Sequence, residues 1–111
     1  MKDNLLYVNH ILDNIEKIES FSKNYTKSDF LKDELVQYAV IRAIEVIGEA
    51  VKNMSLSIKN KHSEIAWKDI SGTRDILIHH YFGVDLDIVW DIVKKQIPEL
   101  KKKVIKIKNE F

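Results

Sequence analysis

Near the start of the chain, Leu5, Val8, Leu12, Ile15 and Ile18 recur at steps of three and four residues, the spacing that lines one face of an α-helix. The pattern predicts a helix over 5–21. From Phe21 to Lys27 the sequence turns polar, and either Thr26 or Ser28 suits a cap, with Asp29 well placed against the positive end of a helix dipole. A second helix is therefore expected from about Asp29. It is the most apolar segment of the protein: from Leu35 to Val51 only Gln37, Arg42, Glu45, Glu49 and the phenol of Tyr38 interrupt the apolar run, as suits a central helix. On a helical wheel Tyr38, Arg42, Glu45, Glu49 and Asn53 fall within about 80° of one another, a polar stripe on an otherwise buried rod. Such a stripe faces solvent with ion pairs between successive turns, or an active cleft, or a subunit interface, and spacing alone does not choose.

The helical pattern fades from Ser55 to Lys61, and His62 to Trp67 reads as a connector that tucks one aromatic into the core. A third helix is expected from Trp67 or Lys68 through Ile78. Gly83 interrupts, and Asp85 is a suitable N-cap for a fourth helix carrying Leu86, Ile88, Val89, Ile92 and Val93. Pro98 suits the first turn of a last helix with Leu100, Val104 and Ile107 turned inward. There is no alternating strand pattern, internal repeat or low-complexity linker. The expected fold is an all-α bundle of about four to five helices forming one domain over 1–111.

Composition narrows the class. At 111 residues, 45% hydrophobic and 32% charged with three glycines and one proline, the chain is globular rather than disordered or linker-like. It has no cysteine, which removes disulfides, thiolate nucleophiles and sulfur-ligated zinc and fits a cytoplasmic location. The N-terminus reads as neither a signal nor a transit peptide, and no window approaches about 18 consecutive apolar residues, so no membrane partner is expected. Net charge is +1, arguing against nucleic-acid binding by bulk charge alone. The balance is uneven, with seven lysines against Glu99 and Glu110 over 94–111; a solvated lysine face accounts for such a run.

Gly48, Gly72 and Gly83 are too scattered for a phosphate loop. His10, His62, His79 and His80 show no metal-ligand spacing, and none of the seven serines sits in a nucleophile elbow. No metal and no cofactor are expected. The densest chemistry is the run Arg74, Asp75, Ile76, Leu77, Ile78, His79, His80, Tyr81. Only Arg42 and Arg74 among eighteen basic residues are arginines, a hint of bidentate binding to carboxylate or phosphate. Arg74 and His79 stand about 140° apart on an ideal helix. They converge if the helix unwinds near His79, if the long arginine curls round, or if two subunits share the site. Otherwise His79 and His80 are ordinary helix-end residues, favourable there when protonated.

Arg74, His79 and Tyr81 match the R-x4-H-x-Y motif of the HepT-like branch of HEPN-domain proteins, the toxin halves of MntA/HepT toxin–antitoxin pairs. The resemblance extends through Ile47-Gly48-Glu49-Ala50, Trp67-Lys68-Asp69-Ile70, Tyr81-Phe82-Gly83-Val84-Asp85, Val89-Trp90 and Pro98-Glu99-Leu100. Asp75 departs from the asparagine frequent in the family. The resemblance implies a metal-independent endoribonuclease acting on RNA as a homodimer, its two motifs close to the subunit interface. It implies His79 as general base toward a ribose 2′-hydroxyl and Arg74 as the donor that stabilises transition-state charge, with Glu49, Arg42, Asp75 and His80 as possible supporting residues. It further implies an MntA-like nucleotidyltransferase antitoxin that transfers AMP to Tyr81. Lys101, Lys102, Lys103, Lys106 and Lys108 are placed to steer an RNA backbone, or are simply solvated. The alternative is a non-catalytic helical module that binds nucleotide or that nucleotidyltransferase.

Overall fold

The computed structural model describes the backbone over 3–79 and 85–111 and the side chains over 4–74 and 85–111. Among the described residues the chain is all helical: α1 (Asp3–Ser22), α2 (Lys27–Lys32), α3 (Glu34–Asn53), α4 (Leu56–Lys61), α5 (Trp67–His79), α6 (Leu86–Asp91) and, after a π turn over Ile92–Gln96, α7 (Ile97–Lys108). The central element is α3, with α1 and α5 packed along it, α7 against α1, and α2 bridging α3 and α6. Val8, Ile11, Ile15 and Ile18 of α1 are fully buried against this core. Ile11 joins the inner face, Leu12 is partly buried against it, and Leu5 lies at its exposed edge.

The segment expected as one helix from about Asp29 is two. Thr26 and Asp29 form a reciprocal capping box that starts α2, and Asp33 ends it by capping the next helix. One oxygen of Asp33 accepts from the Val36 N–H at 3.1 Å and the other from the Tyr25 hydroxyl at 2.6 Å. Its short carboxylate offers the backbone a better partner than continued helix does, and the Gln37 side-chain amide, donating to the Phe30 carbonyl at 2.9 Å, straps the two pieces together. The stretch where helical patterning fades also holds six residues of α4, capped by Ser55. The Asn4 amide donates to the Ser55 hydroxyl at 2.9 Å and its carbonyl accepts the Ser55 N–H at 3.0 Å, which fixes the start of α1 to this corner.

Trp67 is buried as expected of the connector, its indole N–H donating to the carbonyls of His62 and Lys59 at 3.0 and 3.2 Å. Asp85 caps α6 through the N–H groups of Asp87 and Ile88. The fourth and last expected helices are one continuous rod. Pro98 has no N–H for the Lys94 carbonyl and its ring crowds that carbonyl. Instead of breaking, the rod widens to a π turn in which the Ile97 N–H reaches the Ile92 carbonyl. Ile92, Val93 and Ile97 stay buried across this irregularity, so packing holds the rod together. Phe30 of α2 meets Trp90 of α6 with ring centroids 5.2 Å apart. No described helix is long and apolar enough to cross a membrane.

The Tyr25 hydroxyl and then the Val36 N–H hold the Asp33 carboxyl below its ordinary value of 3.8. A lowered folded value favours the ionised carboxylate in the native state, so its contribution is present above the unfolded pKa and is lost as pH falls through the folded one. Asp33→Asn should therefore lower the urea midpoint at pH 7 with an unchanged slope. The gap to the parent should close as pH falls below 3.8; equal midpoints at pH 7 would refute this role for Asp33.

Candidate active site

The site begins with the approach of two helices. Gly48 lies on the buried side of α3 where α5 crosses it. A Cβ at this position would collide with the Arg74 Cβ and stand 3.1 Å from its Cγ and 3.3 Å from the Ile70 carbonyl oxygen. Only the missing side chain lets the Arg74 stem lie against α3. The guanidinium then reaches the residue after the glycine: Arg74 Nη2 is 2.9 Å from Glu49 Oε2. The other carboxylate oxygen of Glu49 faces the Asn53 amide at 3.4 Å, and that amide donates to the Glu49 carbonyl at 2.9 Å. The Arg74 side chain is 24% exposed and that of Glu49 51%. A pair this open to water is worth little net stability, about 0–1 kcal/mol; its consequence is orientation.

The polar stripe of α3 floors a groove of about 330 Å³ running between α1 and α5. Arg42, Glu45, Glu49 and Asn53 form the floor, Tyr7 and His10 of α1 one wall, and Arg74 the other. Tyr38, the fifth member of the stripe, is 73% exposed and lies outside the groove lining. Arg42, Glu49 and Arg74 are thus brought together at one groove.

Of the other expected site residues the lysines are described, and the side chains of the motif beyond Arg74 are not. The helix α5 extends through His79, so among the described residues the chain does not unwind before it. On an ideal helix positions 74 and 79 are about 140° apart around the axis and about 7.5 Å apart along it. The side chains of Asp75 and His79, and His80, Tyr81 and Gly83 altogether, lie outside the described residues. The lysines proposed to steer RNA do not line the groove: Lys101 is paired with Glu19 at 2.9 Å and Lys103 reaches the Glu64 carbonyl at 3.5 Å. Among the described residues no cluster of three or more His, Asp or Glu is placed to hold a metal. Tyr7 and His10 carried no signal in the sequence as groove residues. Gly48 did carry one, since a glycine inside an apolar helical run costs about 1 kcal/mol relative to alanine and needs a packing reason.

Comparison with known proteins follows the same regions. A family model described as "Ribonuclease HepT-like" matches residues 11–107. The chain is 50% identical over 110 residues to a Methanocaldococcus jannaschii protein named "Gamma-glutamylcyclotransferase and putative RNase", covering 99% of this chain and 50% of that one. This chain therefore spans half the length of that relative. It is 47% identical over 103 residues to a "Probable ribonuclease HepT" of Thermococcus cleftensis, covering 93% of this chain and 94% of the relative. With a "Putative RNase" of Caldanaerobacter subterraneus subsp. tengcongensis it shares 45% identity over 107 residues, 96% of each chain. No solved structure matches.

The two glycines in described helices give opposite expectations. Gly72→Ala meets nothing within 4 Å and should stabilise the protein by about 0.5–1 kcal/mol through helix propensity. Gly48→Ala gains the same propensity but must push α5 away, and should destabilise by about 1–3 kcal/mol. Paired urea denaturation curves measure both; a Gly48→Ala variant as stable as Gly72→Ala would show that the helices do not touch as described.

Proposed function

The chain belongs to the ribonuclease HepT-like family, and on that premise we propose that it is the toxin half of a toxin–antitoxin pair, a metal-independent endoribonuclease working as a homodimer. The observation that carries the reading is the Arg74 guanidinium, fixed by Glu49 at 2.9 Å in a groove lined also by Arg42. In this reading His79 takes the proton from a ribose 2′-hydroxyl, and the freed oxygen attacks the adjacent phosphorus as the bond to the 5′-oxygen breaks. The products are a 2′,3′-cyclic phosphate and a 5′-hydroxyl. Arg74 stabilises the charge that builds on the non-bridging oxygens, and the partner's His79 returns a proton to the leaving 5′-oxygen. Because the nucleophile is the 2′-hydroxyl, DNA is not a substrate. Glu49 is a positioning residue, acting through Arg74.

The off-switch in this proposal is transfer of AMP by a nucleotidyltransferase antitoxin to the Tyr81 hydroxyl. Negative charge and bulk two residues from His79 then compete with RNA for the guanidinium. A non-catalytic module that binds nucleotide or the nucleotidyltransferase is the second reading. The same ion pair favours it, because a carboxylate at 2.9 Å competes with substrate phosphate for Arg74.

The readings separate in EDTA. The purified protein should cut mixed RNA and leave the matching DNA intact; Arg74→Ala and His79→Ala should each cut about 100- to 10,000-fold more slowly. Glu49→Gln should keep about a tenth of the activity, a loss of ~1.4 kcal/mol in transition-state stabilisation. Parent and variants equally inert on several RNAs would leave the non-catalytic module. With ATP, Mg²⁺ and the nucleotidyltransferase, intact mass should rise by whole AMP units, and Tyr81→Phe should abolish the rise; an unchanged gain in that variant removes Tyr81 as the acceptor.

A further inference from the structure

Of the eighteen basic residues in the chain only two are arginines, and both line the groove over the α3 stripe, which no lysine lines. Guanidinium differs from ammonium in its planar, paired donors for phosphate and in its ability to stack on flat rings. Arg74 is engaged by Glu49, whereas Arg42 is exposed and has no hydrogen bond or ion pair among the described residues. Arg42 and Glu49 are seven residues apart on α3, two helical turns or about 10 Å, far enough for Arg42 to meet a different phosphate from the one Arg74 holds. The facing wall from α1 is aromatic: the rings of Tyr7 and His10 lie 6.3 Å apart, edge to face at 78°, with His10 exposed and Tyr7 half-buried.

We propose that this groove is a nucleotide subsite that holds one nucleotide of single-stranded RNA beside the scissile phosphate, its base against Tyr7 and His10 and its phosphate on Arg42. The volume of about 330 Å³ is at the lower end for small-molecule sites and suits one nucleotide rather than a duplex. Aromatic stacking accepts any base. The floor carries as many carboxylates as guanidiniums, Glu45 and Glu49 against Arg42 and Arg74, so it is not a trap for anions at large. Glu45 repels phosphate and accepts from a base amino group, which turns the base inward and the backbone toward Arg42. The subsite rests on the ribonuclease reading, to which it adds residues from α1 and a second phosphate contact.

The test measures binding apart from cleavage. A short fluorescein-labelled single-stranded RNA is titrated with the His79→Ala protein and its anisotropy followed at several salt concentrations. Adding Arg42→Ala or His10→Ala should raise Kd about tenfold, and Arg42→Ala should also reduce the slope of log Kd against log salt by about one. Arg42→Lys should restore the slope and part of the affinity, and Lys17→Ala, at an exposed lysine of α1 outside the groove, should change little. In otherwise native protein the same groove variants should raise KM with little change in kcat. Affinities equal to the parent's in both groove variants would overturn the subsite. So would loss of the dimer in Arg42→Ala, by light scattering, with RNA affinity intact, since the groove would then be a contact for a second copy. If the native protein cuts no RNA yet the groove variants still weaken binding, the subsite stands and the nuclease reading falls.

Discussion

How near α5 lies to α3 is set by a hydrogen atom where every other amino acid carries carbon. At Gly48 the helix accepts the roughly 1 kcal/mol disadvantage of a mid-helix glycine, and the return is a backbone surface against which the Arg74 stem lies. Glu49 points about 100° further round α3, so the arginine crosses the axis at the glycine and its head arrives at the carboxylate. One turn of α3 thus supplies both the notch and the anchor, and the groove owes one wall to their combination. A side chain at Gly48 would move that wall together with the guanidinium, which couples packing to the chemistry of the site.

An arginine already paired with a carboxylate is not thereby spent. The guanidinium has five N–H donors, more than a single carboxylate engages. In the half-exposed resting pair solvent weakens the attraction. Exclusion of water from such a pair strengthens its contacts. The carboxylate lowers the affinity of Arg74 for anions in general while reducing the freedom a long side chain must lose on binding. In the proposed reading Glu49 thereby favours a strand that enters along the groove over a free anion in solution.

Periodicity made most of the architecture legible before any coordinates, because inward faces, caps and the buried tryptophan are local consequences of residue type. What it missed lies where two local preferences compete. Asp33 falls inside the segment that reads as one helix from Asp29, yet its carboxylate caps α3 and binds Tyr25, so the helix breaks where the wheel does not. Pro98 signals a helix start, but Ile97 before it and Leu100 after it are both needed in the core, and the rod bulges rather than ending. At the site, Arg74 stood out by chemical crowding and Glu49 by its place on the stripe. Tyr7 and His10 join them only through packing of α1 on α3, for which sequence separation gives no hint.

In the proposed ribonuclease reading, the course of α5 bears on how many chains the site needs. Had the helix unwound before His79, one protomer's imidazole could have swung toward its own guanidinium. Instead α5 is helical through that residue, and the Arg74 guanidinium is drawn across to α3. An in-line displacement at phosphorus also places its two proton transfers at oxygens on opposite sides of the centre, more than one imidazole in a fixed position can serve. In the homodimer proposed above each chain supplies one imidazole, which relieves both difficulties.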